Sequence, residues 1–129
     1  MPLVLEAVPS FEEEWRAHVE EENAADVPGE RRLCYVDVAD LLGHLAARTA
    51  EGETSELAPL MAVVERLHVE GDDYVRQLAT IGYLEGLHGS VAQGELPDVR
   101  PLLGPESLRW WRGLEEFWGG RAKAVLPFD

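Results

Sequence analysis

Apolar side chains recur every three or four residues along most of the 129-residue chain, the spacing that places them on one face of an α-helix. Five such stripes predict helices over about residues 11–24, 38–51, 57–70, 73–91 and 106–119. Residues 94–105 contain three prolines and predict a loop with at most one short helical turn. Short extended segments remain an option at residues 1–9 and 121–129. The pattern predicts an all-α fold of five or six helices in a single domain, residues 1–129.

Turn and capping residues predict where these helices begin and end. Ser10 and Glu13 have the spacing of a capping box at the first helix, and Asp37 is the expected cap of the second. Gly71 is expected to end the third helix and Asp72 to cap the fourth. A junction this short predicts an antiparallel hairpin of helices.

An internal similarity indicates a repeated unit. Residues 45–61 align without gaps to residues 87–103, with six of 17 positions identical. Each copy reads as a helix, a glycine-containing turn and a proline in the first turn of the next helix. The offset of 42 residues is typical of HEAT-type helical hairpins. The sequence leaves two arrangements open, a HEAT-like two-repeat arrangement and an irregular helical bundle.

The charge is strongly acidic, with 25 acidic and 11 basic residues for a net charge of −14. Binding of nucleic acid or of an anionic membrane surface is not expected, because both require a cationic surface. Residues 1–30 carry nine acids and one base. This block is either a solvated helix face or a docking surface for a basic protein. In the second case the partner-binding residues are predicted to be Glu12, Glu13, Glu20 and Glu21.

A single cysteine, Cys34, excludes an internal disulfide, and no apolar run is long enough to span a bilayer. A cytoplasmic location is therefore expected. Ten arginines against one lysine suggest a bacterial source with GC-rich DNA.

Two Glu-x-x-His pairs, Glu65/His68 and Glu85/His88, match the ligand pattern of a di-iron carboxylate bundle. In a hairpin that turns at Gly71, however, the two histidines would lie roughly 20 Å apart along the helix axes, at about 1.5 Å per residue. Two metals in one site need a separation of about 4 Å. The sequence also lacks a phosphate-binding loop, a zinc motif and a Ser/His/Asp signature. No catalytic residue, metal or cofactor is therefore predicted.

The predicted fourth and fifth helices carry residues with other contact roles. Gly82 and Gly86, four residues apart, are expected to let a neighbouring helix approach closely, and a groove for a small ligand there is the alternative. Trp111 and Trp118 are predicted to share a core stripe. Trp110 points elsewhere and is either a second core contact or an exposed anchor for a partner.

Two segments resemble a family of small acidic bacterial proteins of unknown activity. They read EGDDYVRQLATIGYLEGL (residues 70–87) and LLGPESLRWWRGLEEFW (residues 102–118), within a similarity that covers about residues 9–119. A looser likeness connects the chain with immunity proteins of bacterial toxin systems. That likeness implies a protein that neutralises a partner and brings no catalytic residues.

The predicted function is a non-catalytic protein-binding module, most concretely an immunity protein that neutralises a basic bacterial toxin domain. Two alternatives stay open: a metal-binding or enzymatic bundle that uses the Glu/His pairs, and a scaffold protein that self-associates through the Trp110 region.

Overall fold

The computed structural model describes residues 2–17, 35–121 and 123–127. Its elements, in chain order, are α1 (Pro2–Ala7), a 3₁₀ turn (Pro9–Phe11), α2 (described over residues 12–17), α3 (Tyr35–Ala50), α4 (Leu57–Glu70), α5 (Asp73–Gln77), a π-helical segment (Leu78–Leu84), α6 (Glu85–Ala92), a second 3₁₀ turn (Arg100–Leu102) and α7 (Pro105–Trp118). Within these ranges the chain forms only helices, turns and loops. The all-α prediction is confirmed.

The three elements between Asp73 and Ala92 follow one another without a break and form one central helix. This central helix packs against α3, α4 and α7. Its buried apolar side chains lie on more than one face, as expected for a helix contacted from several sides: Leu78, Ala79, Tyr83, Leu84 and Leu87. At Gly86 an added Cβ would lie 2.6 Å from Leu42 Cδ1, so this glycine permits the predicted close approach of a neighbouring helix, which is α3.

The junction between α4 and α5 also agrees with the sequence. The Asp72 carboxylate accepts a hydrogen bond from the backbone N–H of Val75 at 2.9 Å and caps α5. Gly71 ends α4, with its N–H bonded to the carbonyl of Leu67 at 3.1 Å. α4 packs against α5, as in the predicted hairpin.

Two predictions at helix ends are wrong, and one open option is decided. Residues 2–7, for which an extended segment was an option, form α1, in which Val4 and Ala7 are buried in the core and which packs against α4. Ser10 does not cap α2; it lies in a 3₁₀ turn and its side chain bonds to other helices. Asp37 lies inside the first turn of α3, fully buried, and burial together with this nearby carboxylate raises the pKa of Tyr83.

The predicted core stripe of α7 ends earlier than expected. Trp111 and Leu114 are 2% and 0% exposed, but Trp118, in the last turn, is 42% exposed. The Trp118 ring lies against His88, with ring centroids 4.5 Å apart, and otherwise faces outward. Its neighbour Phe117 is 40% exposed. The prediction of a buried Trp118 is therefore wrong.

The two copies of the internal repeat differ in their second half. The first copy runs from α3 through a turn into α4, whose first turn holds Pro59. In the second copy the matching proline, Pro101, lies in the short 3₁₀ turn Arg100–Leu102. The HEAT-like two-repeat arrangement stays a prediction.

Candidate functional site

A surface pocket of about 440 Å³ opens beside the π-helical segment. Residues from the central helix, from α7 and from the C-terminal segment line it: Asp73, Arg76, Gln77, Thr80, Ile81, Trp110 and Val125. The π-helical winding, in which the N–H of Glu85 bonds to the carbonyl of Thr80, changes the direction of the side chains along this wall. π-Helical turns occur frequently at functional sites, which makes this pocket the first candidate.

A buried histidine lies directly behind the pocket. His68 is 3% exposed, and its Nδ1 lies 3.0 Å from the carbonyl oxygen of Val64. Because that oxygen can only accept, Nδ1 carries the hydrogen. Nε2 lies 3.0 Å from Thr80 Oγ1 and accepts the hydroxyl hydrogen in the neutral ring. Burial lowers the pKa of His68, consistent with a neutral imidazole whose two nitrogens are both engaged.

The network continues from His68 to the start of α7. Ser107 Oγ lies 3.1 Å from His68 Nδ1, and the Ser107 hydroxyl also bonds to the Glu65 carboxylate. Glu65 accepts the backbone N–H of Ser107 at 2.7 Å and that of Glu106 at 3.1 Å. The residue at the N-cap of α7 is Gly104, which has no side chain to offer, so Glu65 caps α7 from α4. Burial opposes the charged form, but these hydrogen bonds prevail and lower the pKa of Glu65.

Trp110 forms the wall between this network and the pocket. Its ring stacks on the His68 ring, with centroids 6.4 Å apart and an angle of 14° between the planes. The side chain is partly buried and packs against the core. Trp110 is thus a core contact, as one of the two interpretations expected, and it also lines an open pocket. Its role as an anchor for a partner stays a prediction.

A second polar cluster joins the N-terminal segment to the turn between α3 and α4. Glu56, the N-cap residue of α4, accepts the N–H of Ser10 at 3.1 Å and its hydroxyl at 2.5 Å. Arg48 Nε lies 3.0 Å from the same carboxylate. His44 Nε2 lies 2.7 Å from Ser10 Oγ, and its Nδ1 lies 3.3 Å from Glu14 Oε2. We call these five residues the Ser10 cluster.

The Ser10 cluster brings two acidic segments to the same end of the molecule. Residues 12–14 are exposed on α2, and residues 51 and 53 are exposed in the turn after α3. Glu14 contacts His44, while Glu53 lies 3.7 Å from Arg48. The carboxylates in this acidic end are Glu12, Glu13, Glu14, Glu51, Glu53 and Glu56. Two arginines, Arg16 and Arg48, partly balance them.

The predicted partner-binding residues lie on different elements of the described chain. Glu12 and Glu13 are exposed at the acidic end. Trp110 lies in the pocket beside the π-helical segment. Glu20 and Glu21 lie outside the described residues.

The two Glu-x-x-His pairs serve separate contacts. The Glu65/His68 pair is engaged with α7 and the central helix through the network described above. Glu85 is exposed, and His88 packs against Trp111 and Trp118 at centroid distances of 5.1 and 4.5 Å. Among the described residues, no three His, Cys, Asp or Glu side chains are placed to hold a metal ion together.

Sequence reasoning missed the connections from Ser10 to Glu56 and from His68 to Thr80 and Ser107. Ser10 and Glu56 are 46 residues apart, and His68 and Ser107 are 39 residues apart. The sequence holds one weak signal for the contact at Ser107. The helix that contains it begins at Gly104-Pro105 without a capping side chain, so its first N–H groups need an acceptor from another part of the chain.

Residues 1–119 match the family described as domain of unknown function DUF7674. The chain belongs to this family. The resemblance to an uncharacterised family is confirmed, and both the pocket and the Ser10 cluster lie largely within the DUF7674 domain, with Val125 of the pocket beyond it. No curated protein and no solved structure matches the chain. In the described part of the DUF7674 domain and the residues after it, no helix has the length and apolar character needed to cross a membrane.

Proposed function

We propose that this chain is a non-catalytic binding protein for a basic protein partner, which it neutralises by stoichiometric binding as immunity proteins do. The observation that carries the proposal is the acidic end. Contacts of the Ser10 cluster hold the acids of α2 next to those of the turn after α3, so charges from two distant segments act on one approaching partner. Such a concentrated field increases the rate of association with a basic protein.

The geometry of the acidic end favours binding over catalysis. Ser10, His44 and Glu14 are connected by hydrogen-bond distances, as in a hydrolase triad. The Ser10 hydroxyl, however, donates its only hydrogen to Glu56, because an ionised carboxylate can only accept. His44 then donates to Ser10 and cannot remove its proton. Ser10 acts as a link between helices, and the exposed acids around it supply the surface for a partner.

The partner to test is a basic protein encoded by a neighbouring gene. Titration of the purified full chain should give a one-to-one complex whose association rate falls as salt is raised, since screening acts on exposed charges. Replacing Glu12 and Glu13 together by glutamine should slow association about tenfold at low salt while changing dissociation little. The matched control replaces two exposed acids elsewhere, Glu6 and Glu85, by glutamine.

Three results would contradict the proposal: neighbouring genes that encode no protein with an excess of basic residues, an association rate that does not depend on salt, and equal effects of the two double variants.

A further inference from the structure

The pocket beside the π-helical segment has a combination of groups that the binding of a basic protein does not use. We propose that it binds a small zwitterionic aromatic molecule of the amino-acid type, with an N–H or O–H donor on its ring. The pocket volume of about 440 Å³ falls within the range of small-molecule sites in proteins.

The inner wall fits an aromatic ring. Ile81, Trp110 and Val125 give it apolar contact area. Trp110 is held in place by stacking on buried His68, so the ring that a ligand would meet is already positioned. Aromatic pairs of this kind contribute beyond the area that they bury. A site prepared in this way loses little conformational entropy on binding.

One of the lining residues, Thr80, has a hydroxyl oxygen that can only accept a further hydrogen bond. The Thr80 hydroxyl gives its hydrogen to His68 Nε2, which leaves Thr80 Oγ1 with lone pairs only. A ligand atom that meets this oxygen must therefore be a donor. The N–H of an indole or the O–H of a phenol satisfies this condition, whereas an unsubstituted phenyl ring does not.

The rim of the pocket carries both signs of charge. Asp73 and Arg76 line the opening and are both exposed. Neither forms an ion pair or a hydrogen bond with a side chain in the part of the chain that the structure describes, although a helical spacing of three residues would allow them to pair. The ammonium and carboxylate groups of an amino acid complement this arrangement.

The net charge of the chain decides between a zwitterion and a simple ion. With a net charge of −14, the protein as a whole repels a small anion at long range. A simple cation would be attracted, but it would meet Arg76 at the opening. A zwitterion is neutral as a whole and satisfies both rim charges.

The experiment is calorimetric titration of the full chain with L-tryptophan, supported by saturation-transfer NMR, which identifies the ligand protons in contact. We expect one site with a Kd of about 1 mM or tighter. N-Acetyl-tryptophan, which lacks the ammonium, and tryptophanamide, which lacks the carboxylate, should each bind at least tenfold more weakly. Phenylalanine should bind more weakly than tryptophan or tyrosine.

The variants test the rim without disturbing the fold. Arg76→Met and Asp73→Asn should each weaken L-tryptophan binding about tenfold, because both side chains are exposed and each loses one charged contact. Arg112→Met, an exposed arginine of α7 that does not line the pocket, is the control and should leave binding unchanged.

The proposal is overturned if L-tryptophan shows no saturable binding at millimolar concentration. It is also overturned if N-acetyl-tryptophan and tryptophanamide bind as well as tryptophan, or if the two rim variants bind like the control. Because the acidic end is not involved, these outcomes do not depend on whether a basic protein partner is found.

Discussion

His44 and His68 occupy similar chemical surroundings but have different physical roles. In each residue Nε2 contacts a hydroxyl on another segment, Ser10 for His44 and Thr80 for His68. The His68 ring is enclosed by α4, the central helix and α7, and burial lowers its pKa. The His44 side chain is 17% exposed and lies among the carboxylates of Glu14 and, through Ser10, Glu56. The two rings therefore differ in both burial and neighbours: His68 contacts hydroxyls and a carbonyl oxygen inside the core, whereas His44 contacts a carboxylate near the surface.

The carboxylates beside these histidines show the same contrast. Glu65 binds backbone N–H groups of α7 and the Ser107 hydroxyl, so it replaces an absent capping residue. Glu56 binds Ser10 and the guanidinium of Arg48 and connects three segments at the surface. The first network supports the wall of a pocket, and the second holds together an acidic surface.

The largest expected difference between the two networks is in stability. His68→Ala should lower the free energy of unfolding by about 2–4 kcal/mol, because it creates a cavity and leaves the Thr80 and Ser107 hydroxyls with one partner fewer. His44→Ala should cost about 1 kcal/mol or less, since water can reach its partners. Chemical denaturation of both variants measures the difference. Equal losses would show that burial does not separate the two sites.

A smaller loss is expected when the cap of α7 is removed. Glu65→Ala leaves the N–H groups of Glu106 and Ser107 without their acceptor, which should cost about 1–2 kcal/mol. Glu65→Gln keeps one acceptor oxygen and should recover part of that loss. If the two variants are equally stable, capping is not the role of this carboxylate. Amide hydrogen exchange at residues 105–108 would show the local effect directly.

The sequence predicted the parts of the fold that depend on local spacing. The Asp72 cap and the Gly71 turn require only neighbours within a few residues, and the central helix follows from its apolar periodicity. The helix α1 was missed because six residues are too short for a periodic pattern to emerge. The π-helical segment was missed because one additional residue per turn alters the contacts without altering the composition.

The candidate sites could be predicted from the sequence less well than the fold could. The spacing of Glu65 and His68 matches a metal-ligand pattern, but the Glu65 carboxylate accepts the N–H of Ser107 and His68 Nε2 contacts the Thr80 hydroxyl. Ser10 fits a capping motif by spacing, yet Glu56, 46 residues away, binds both its N–H and its hydroxyl. Which partner each of these side chains contacts depends on which helices pack together, and a pattern within one helix does not show this.

The buried network also predicts a dependence of stability on pH. The folded-state pKa of His68 lies below its ordinary value of 6.5, so the unfolded chain binds a proton first as the pH falls. The contribution of neutral His68 is complete above about pH 6.5 and is lost below it. Glu65, with a pKa below 4.5, adds a second loss in more acidic solution. His68→Gln should abolish the loss of stability that starts below about pH 6.5 and keep the loss that Glu65 causes in more acidic solution. Thermal unfolding measured at a series of pH values from neutral to acidic checks this. If the loss that starts below about pH 6.5 remains in this variant, His68 does not cause it.

The smallest effect is expected at the surface network. Ser10→Ala removes the hydroxyl contacts with Glu56 and His44 but keeps the backbone hydrogen bond from residue 10 to Glu56. Because the site is only partly buried, the cost should be about 1 kcal/mol or less. Thr80→Val, which leaves buried His68 Nε2 without a donor, is the matched substitution and should cost more, about 1–3 kcal/mol. If Ser10→Ala lowers the free energy of unfolding as much as Thr80→Val or more, the hydroxyl contacts at the acidic end stabilise the fold at least as strongly as the contact behind the pocket wall.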